Sequence, residues 1–224
     1  MSGDNMPYEL LPDVFVEHEA GLTSQGASPY DYRTRQGVRP IDWHDVHGLC
    51  RALARVAADL GTDAVLAVGR GGLYPGALVA HMLRVDLHPV YLSRRERDRV
   101  VHADPRWLIE PPASIAGQRV LVVDEISSTG TTLSMVKERA LALGAARVTT
   151  AVLYAHTRAA DIPDCVGLVT DALVLNPWDR EVLRAGEFVL HPEYADALRS
   201  LGEPADSSWL VQAPGFELAR RPGH

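Results

Sequence analysis

Between residues 41 and 175 the apolar positions fall into two alternating kinds of block. The short blocks are nearly continuous: Ala64–Val68, His88–Leu92, Val120–Val123 and Val148–Tyr154. Such runs suit strands buried on both faces. The longer blocks carry a helical stripe. Val46, Leu49, Cys50, Leu53, Val56, Ala57 and Leu60 follow Asp42, an N-cap candidate, and stop at Gly61. Leu133, Val136, Ala140, Leu141 and Leu143 run up to Gly144. A helix is expected from Leu73 to about Leu83, another strand within Val166–Leu175, and a short helix over Glu193–Leu201. The alternation predicts an α/β fold, a central and mostly parallel sheet flanked by helices.

The period fails at both ends, so the chain divides into an N-terminal extension (1–40), a folded domain (41–184) and a C-terminal extension (185–224). Tyr8, Phe15, Tyr30 and Tyr32 are expected to pack part of the first extension on the domain or on a second subunit. No apolar run approaches the roughly 20 residues of a membrane span. A net charge of −7 argues against general nucleic-acid binding, which depends on neutralising phosphates. Cys50 and Cys165 lie far apart and read as free thiols, and Met1–Pro12 has no signal pattern, so a cytoplasmic protein is expected.

The candidate chemistry sits at two strand ends. Val120–Val123 runs into Asp124 and Glu125, then into Ile126-Ser127-Ser128-Thr129-Gly130-Thr131-Thr132 and a helix. Hydroxyls and backbone N–H groups at a helix N-terminus suit a phosphate, and adjacent carboxylates suit sugar hydroxyls or a metal's water shell. No lysine precedes Thr131 or Thr132, so this is not the ATP-binding phosphate loop. Upstream, Val68 runs into Gly69-Arg70-Gly71-Gly72 and a helix. Glycines admit an oxyanion close to the backbone, and Arg70 adds a fixed charge with paired donors. A phosphorylated sugar is the ligand that such a pair of junctions predicts.

The stretch Val122–Thr132 resembles the phosphoribosyl-pyrophosphate (PRPP) signature of type I phosphoribosyltransferases. With Ile41-Asp42-Trp43, Val68–Leu78 and Pro177-Trp178-Asp179, the resemblance covers roughly residues 41–184 and is nearest the bacterial xanthine–guanine branch. It implies transfer of 5-phosphoribosyl from PRPP to a small nitrogen heterocycle, with release of pyrophosphate and with magnesium as cofactor. It assigns Asp124, Glu125 and Asp179 to the metal, and Ser127, Ser128, Thr129, Gly130, Thr131 and Thr132 to substrate. Gly69, Arg70, Gly71 and Gly72 would take the pyrophosphate, helped by Arg94 and Arg95 from an arginine-rich loop, Ser93–Arg99, that closes over it. Residues 104–114 would form the return of that loop. Leu173 and Trp178 fall among the substrate contacts, and a homo-oligomer, dimer or tetramer, is implied.

The acceptor half departs from that branch. Ser128 stands where an aspartate contacts the purine imidazole nitrogen, His156 where a lysine reads the 6-oxo group, and Leu173 where an aromatic residue stacks on the base. His156 is retained as a candidate acid/base group. Two other readings stay open at this point: a PRPP-binding regulatory protein without transferase activity, and a hydrolase or phosphorolytic enzyme acting on a modified nucleotide.

Overall fold

The computed structural model describes residues 9–10, 32–96, 99–102, 104–216 and 219–220. Tyr8, Phe15 and Tyr30 lie outside the described residues, as do Arg97 and Asp98 of the arginine-rich loop. Fourteen elements carry the argument. In chain order they are β1 (Val38–Pro40), α1 (Trp43–Asp59), β2 (Ala64–Gly69), α2 (Leu73–Leu83), β3 (Asp86–Ser93) and β4 (Arg106–Ile109), followed by β5 (Arg119–Ser127), α3 (Thr131–Ala142), β6 (Arg147–Ala155), β7 (Cys165–Val169), β8 (Leu173–Leu175), β9 (Glu181–Arg184), β10 (Glu187–Leu190) and α4 (Pro192–Ser200).

Six strands form the central sheet in the order β7-β6-β5-β2-β3-β4. All neighbours are parallel except β3 and β4, so the sheet ends in one antiparallel edge strand. Apolar residues of both pleat phases are buried. Val65, Leu121 and Val123 pack under α1 and α2, whereas Leu66, Val120 and Val122 pack under α3. That is why the strands read as continuous apolar runs rather than as alternations. Helix α1 begins with a capping box in which Asp42 accepts from Asp45 N at 2.8 Å and Asp45 accepts from Asp42 N at 3.1 Å. Among the described residues no helix is long and apolar enough to cross a membrane.

The structure differs from the sequence reading at three places that matter for the site. Strand β5 runs on through the acid pair to Ser127 instead of ending at Val123. On its β6 side the ladder continues to Ser127, but on its β2 side it stops at Val123. Residues 124–127 therefore keep one open edge, and it faces the turn that leaves β2. Second, residues 104–114 supply a strand, β4, and not only a return. Third, the stretch 165–175 splits. β7 stays in the sheet, while β8 leaves it at Thr170-Asp171-Ala172 and pairs in parallel with β1.

That pairing joins β8 to residues on either side of the 41–184 stretch in a separate small core. Leu173, Leu175, Ala197 and Leu198 are buried together, with Tyr32, Val38, Tyr194 and Trp209 packed against them. Tyr32 OH donates to Glu193 at 3.1 Å. Arg180, 7% exposed, ties β8 to the segment before α1 and to the C-terminal extension: Nη2 donates to Ile41 O and, at 2.9 Å, to Leu175 O; Nε donates to Asn176 O at 3.2 Å, and Nη1 to Trp209 O at 3.4 Å.

Candidate active site

The carboxyl ends of β2 and β5 lie side by side, where parallel sheets bind ligands. The turn after β2 begins at a cis Gly69–Arg70 peptide bond and passes through Gly71 and Gly72 into α2. Gly72 is wedged against backbone: a Cβ there would lie 2.6 Å from Val68 O, 2.7 Å from Val123 O and 2.8 Å from Asp124 Cα. None of these atoms belongs to a side chain that can swing aside. Gly72→Ala is therefore expected to cost about 1–3 kcal/mol and to lower turnover at least tenfold, read by melting temperature and steady-state rate. Gly48→Ala, on open helix surface with nothing within 4 Å, is the control and should be neutral or mildly stabilising.

Gly71 meets the acid pair itself, because a Cβ at this position would overlap the Glu125 carboxyl. Glu125 Oε2 accepts from Trp178 Nε1 at 3.2 Å and is approached by Asn176 Nδ2 at 3.4 Å. Asp124 Oδ1 accepts from Glu125 N at 2.7 Å. Both side chains are half-buried. Burial pushes Asp124 up to about 7, against the Glu125 N–H. Burial also pushes Glu125 up to about 8, with the charges of Asp179 and Asp124 adding to it and Trp178 and Arg70 opposing. Asp179 rises to about 6 by burial, while its two oxygens accept from Tyr194 OH at 3.0 Å each. Burial dominates all three shifts, and the charges of Arg70 on Glu125 and of Arg180 and Arg70 on Asp179 only partly offset it.

Beyond the acids the chain turns into α3. Gly130 caps the helix with φ +76°, a conformation that favours glycine, and Thr129 Oγ1 lies 3.1 Å from Thr131 Oγ1. Ser127 Oγ is buried and meets no hydrogen-bond partner among the described residues. Ser128 is fixed through its carbonyl, which accepts from Arg158 Nε at 3.2 Å. The structure thus brings together Gly69–Gly72, Asp124, Glu125, Ser127–Thr132 and Trp178. Arg94 stands at the root of a short hairpin that pairs Arg95–Glu96 with Arg99–Val100, and its carbonyl accepts from Val101 N and His102 N.

Two expected contacts do not come to the crevice in the form predicted. Leu173 is 2% exposed and is spent on the small core it shares with the extensions, because β8 turns away to meet β1. His156 is 2% exposed, with Nδ1 2.8 Å from Thr170 O. A carbonyl only accepts, so Nδ1 carries the proton. Burial holds the pKa of His156 below its ordinary value, and the ring is neutral near pH 7, not a cation.

The sequence reading missed four participants: Trp43, Tyr74, Asn176 and Tyr194. Tyr74 stacks on Trp178 with ring centroids 4.9 Å apart at 14°, and Trp43 tilts against both at 6.0 and 5.9 Å. Trp43 and Tyr74 lie within stretches that carry the resemblance and Asn176 adjoins one, which is the signal the sequence offered; Tyr194 had none, and the Tyr74–Trp178 stack joins residues more than 100 positions apart.

A family model for the phosphoribosyl transferase domain matches residues 44–179. The chain is similar to the crystal structure of a purine phosphoribosyltransferase from Pyrococcus horikoshii, with 26% identity and TM-score 0.57 over 64% of this chain and 94% of that one. It is similar at 26% identity and TM-score 0.54 to a hypothetical protein from Neisseria gonorrhoeae with bound ppGpp, over 65% and 90% of the two chains. A xanthine-guanine-hypoxanthine phosphoribosyltransferase from Helicobacter pylori matches at TM-score 0.54 over 64% and 93%; at 17% identity it bears on the fold alone.

Proposed function

The chain belongs to the type I phosphoribosyltransferases, and from this premise we propose that it transfers the 5-phosphoribosyl group of PRPP to a nitrogen of a small heterocycle, releasing pyrophosphate. One observation carries the reading: the open edge of β5 sets an acid pair directly between two backbone cradles. Ser127 to Thr132 hold the 5-phosphate on N–H groups and hydroxyls. Asp124 and Glu125 take the ribose hydroxyls, and Gly69, Arg70, Gly71 and Gly72 take the pyrophosphate, with Arg94 and Arg95 adding charge from the hairpin. The bond to pyrophosphate breaks as the acceptor nitrogen approaches the anomeric carbon. The chain's work is to position the groups and stabilise charge on the leaving group.

The acids fit magnesium. Asp124 and Glu125 are hard oxygen donors, few in number, set against the Gly71–Gly72 turn, and this suits an ion that keeps waters and takes substrate oxygens. The ion would neutralise pyrophosphate when bound. Asp124 and Glu125 are proposed to hold it, with Asp179 contributing charge nearby. A cytoplasmic setting is proposed on the two free cysteines, and a homo-oligomer, dimer or tetramer, accords with exposed Leu183 and Phe188 on the β9–β10 hairpin.

The test is pyrophosphate release from PRPP and magnesium across a panel of heterocycles. Turnover with one of them is expected. Efficiency with guanine, xanthine and hypoxanthine is expected below about 10⁵ M⁻¹s⁻¹, because a neutral His156 and a hydroxyl at Ser128 offer a 6-oxopurine no charged partner. Tight PRPP binding with no turnover on any base would favour a regulatory nucleotide-binding protein instead. The ppGpp bound by the Neisseria relative makes that the second reading.

A further inference from the structure

We propose that Trp178 is a positioning residue for Glu125, and that its stack on Tyr74 ties that acid to the pyrophosphate turn. This rests on the role given to Glu125 above. Glu125 stands on the open edge of β5, where no strand neighbour fixes the backbone on its β2 side. Its carboxyl is held from two directions: Gly71 of the turn lies against it, and the Trp178 indole N–H donates to Oε2 at 3.2 Å. Asn176 Nδ2, at 3.4 Å, adds a weaker contact to the same oxygen. A half-buried carboxyl group on an open strand edge keeps its direction only where donors meet it.

The indole is itself fixed. Its ring stacks on Tyr74, the second residue of α2, and Trp43, the first residue of α1, tilts against both. Tyr74 follows Gly71 by three positions, and Tyr74 N donates to Gly71 O at 3.3 Å. Turn, stack and acid therefore form a closed circuit: Gly71 to Tyr74 along the chain, Tyr74 to Trp178 by stacking, Trp178 to Glu125 by hydrogen bond, Glu125 to Gly71 by contact. Displacement of any member changes the spacing between acid and turn, which must together span one substrate. An indole engaged on a ring face and at its nitrogen serves this purpose better than it would serve as an open surface for a base.

Two measurements decide it. Trp178→Phe keeps a ring for the stack and removes the donor. Its PRPP dissociation constant by calorimetry is expected to rise roughly tenfold or more, with melting temperature near the parent's. In a Glu125→Ala background the same change should alter the constant less than about twofold. An unchanged constant in the first case, or the full loss in the second, overturns the proposal. The second measurement needs no ligand. The Trp178 indole N–H resonance, assigned by its disappearance in Trp178→Phe, should shift in Glu125→Ala; a resonance that stays in place overturns the contact. If the parent protein fails to bind PRPP while the indole shifts, the functional reading falls and the positioning of Glu125 stands.

Discussion

Neutralising the acid pair, Asp124→Asn with Glu125→Gln, is expected to abolish turnover and to weaken PRPP binding by roughly 10²–10⁴-fold while the protein stays folded. Each carboxylate is assigned a charge-assisted contact, and loss of one costs about 1.5–3 kcal/mol, so two together span that range. Calorimetry with PRPP and magnesium reads it; undiminished affinity would remove the acids from the site. The same variant makes a second, opposite prediction. Both carboxyls have folded pKa values raised above their ordinary ones by burial, so the native state binds more protons than the unfolded state. The ligand-free parent should lose stability as pH rises from about 4 to about 8. The doubly neutral variant lacks these two groups and should lose less over that window, ending more stable than the parent at pH 8. Thermal melts across the window check the sign.

Arg180→Met should destabilise the protein by about 2–5 kcal/mol and, by removing a charge that holds Asp179 down, push that acid's pKa further up. The guanidinium donates to four carbonyls, but their losses are unequal. Leu175 O also accepts from Ile41 N, and Asn176 O from Arg180 N, so these keep a partner. Ile41 O and Trp209 O are the two the substitution strands, at about 1–3 kcal/mol each. For a chain of this size the melting temperature should fall by roughly 5–15 °C. Arg180→Lys should not restore it, because one ammonium cannot bridge carbonyls from the start of the domain, β8 and the C-terminal extension. A parental melting curve would show that the extensions hold without it.

Arg180 also marks where sequence reasoning stops. In Trp178-Asp179-Arg180-Glu181 it looks like one more solvated charge, and only the convergence of three distant segments makes it a buried clamp. The central elements were legible for the converse reason. A strand buried on both faces leaves an unbroken apolar run, and a capped amphipathic helix leaves a stripe, so β2, β5, β6, α1 and α3 declare themselves locally. The acid pair and the glycine turn were legible too, since residue type and order carry their chemistry. What stays hidden is set by pairing across the chain: the early end of the β2–β5 ladder that opens the crevice, the departure of β8 that buries Leu173, and the carbonyl of Thr170 that fixes the His156 proton. None leaves a periodic trace in its own neighbourhood.

The parallel pairing of β1 with β8 bears on the order in which the chain can fold. Its ladder has three residue pairs, Val38 with Leu173 through Pro40 with Leu175, and closes a loop of roughly 130 residues. Closure of such a loop in a flexible chain costs about 4 kcal/mol, more than so short a ladder returns. The central sheet has to shorten that loop first, by drawing the chain ends together through its own crossovers. The unit that β8 builds with the two extensions is thus a late product of folding, added to a sheet that already carries both cradles.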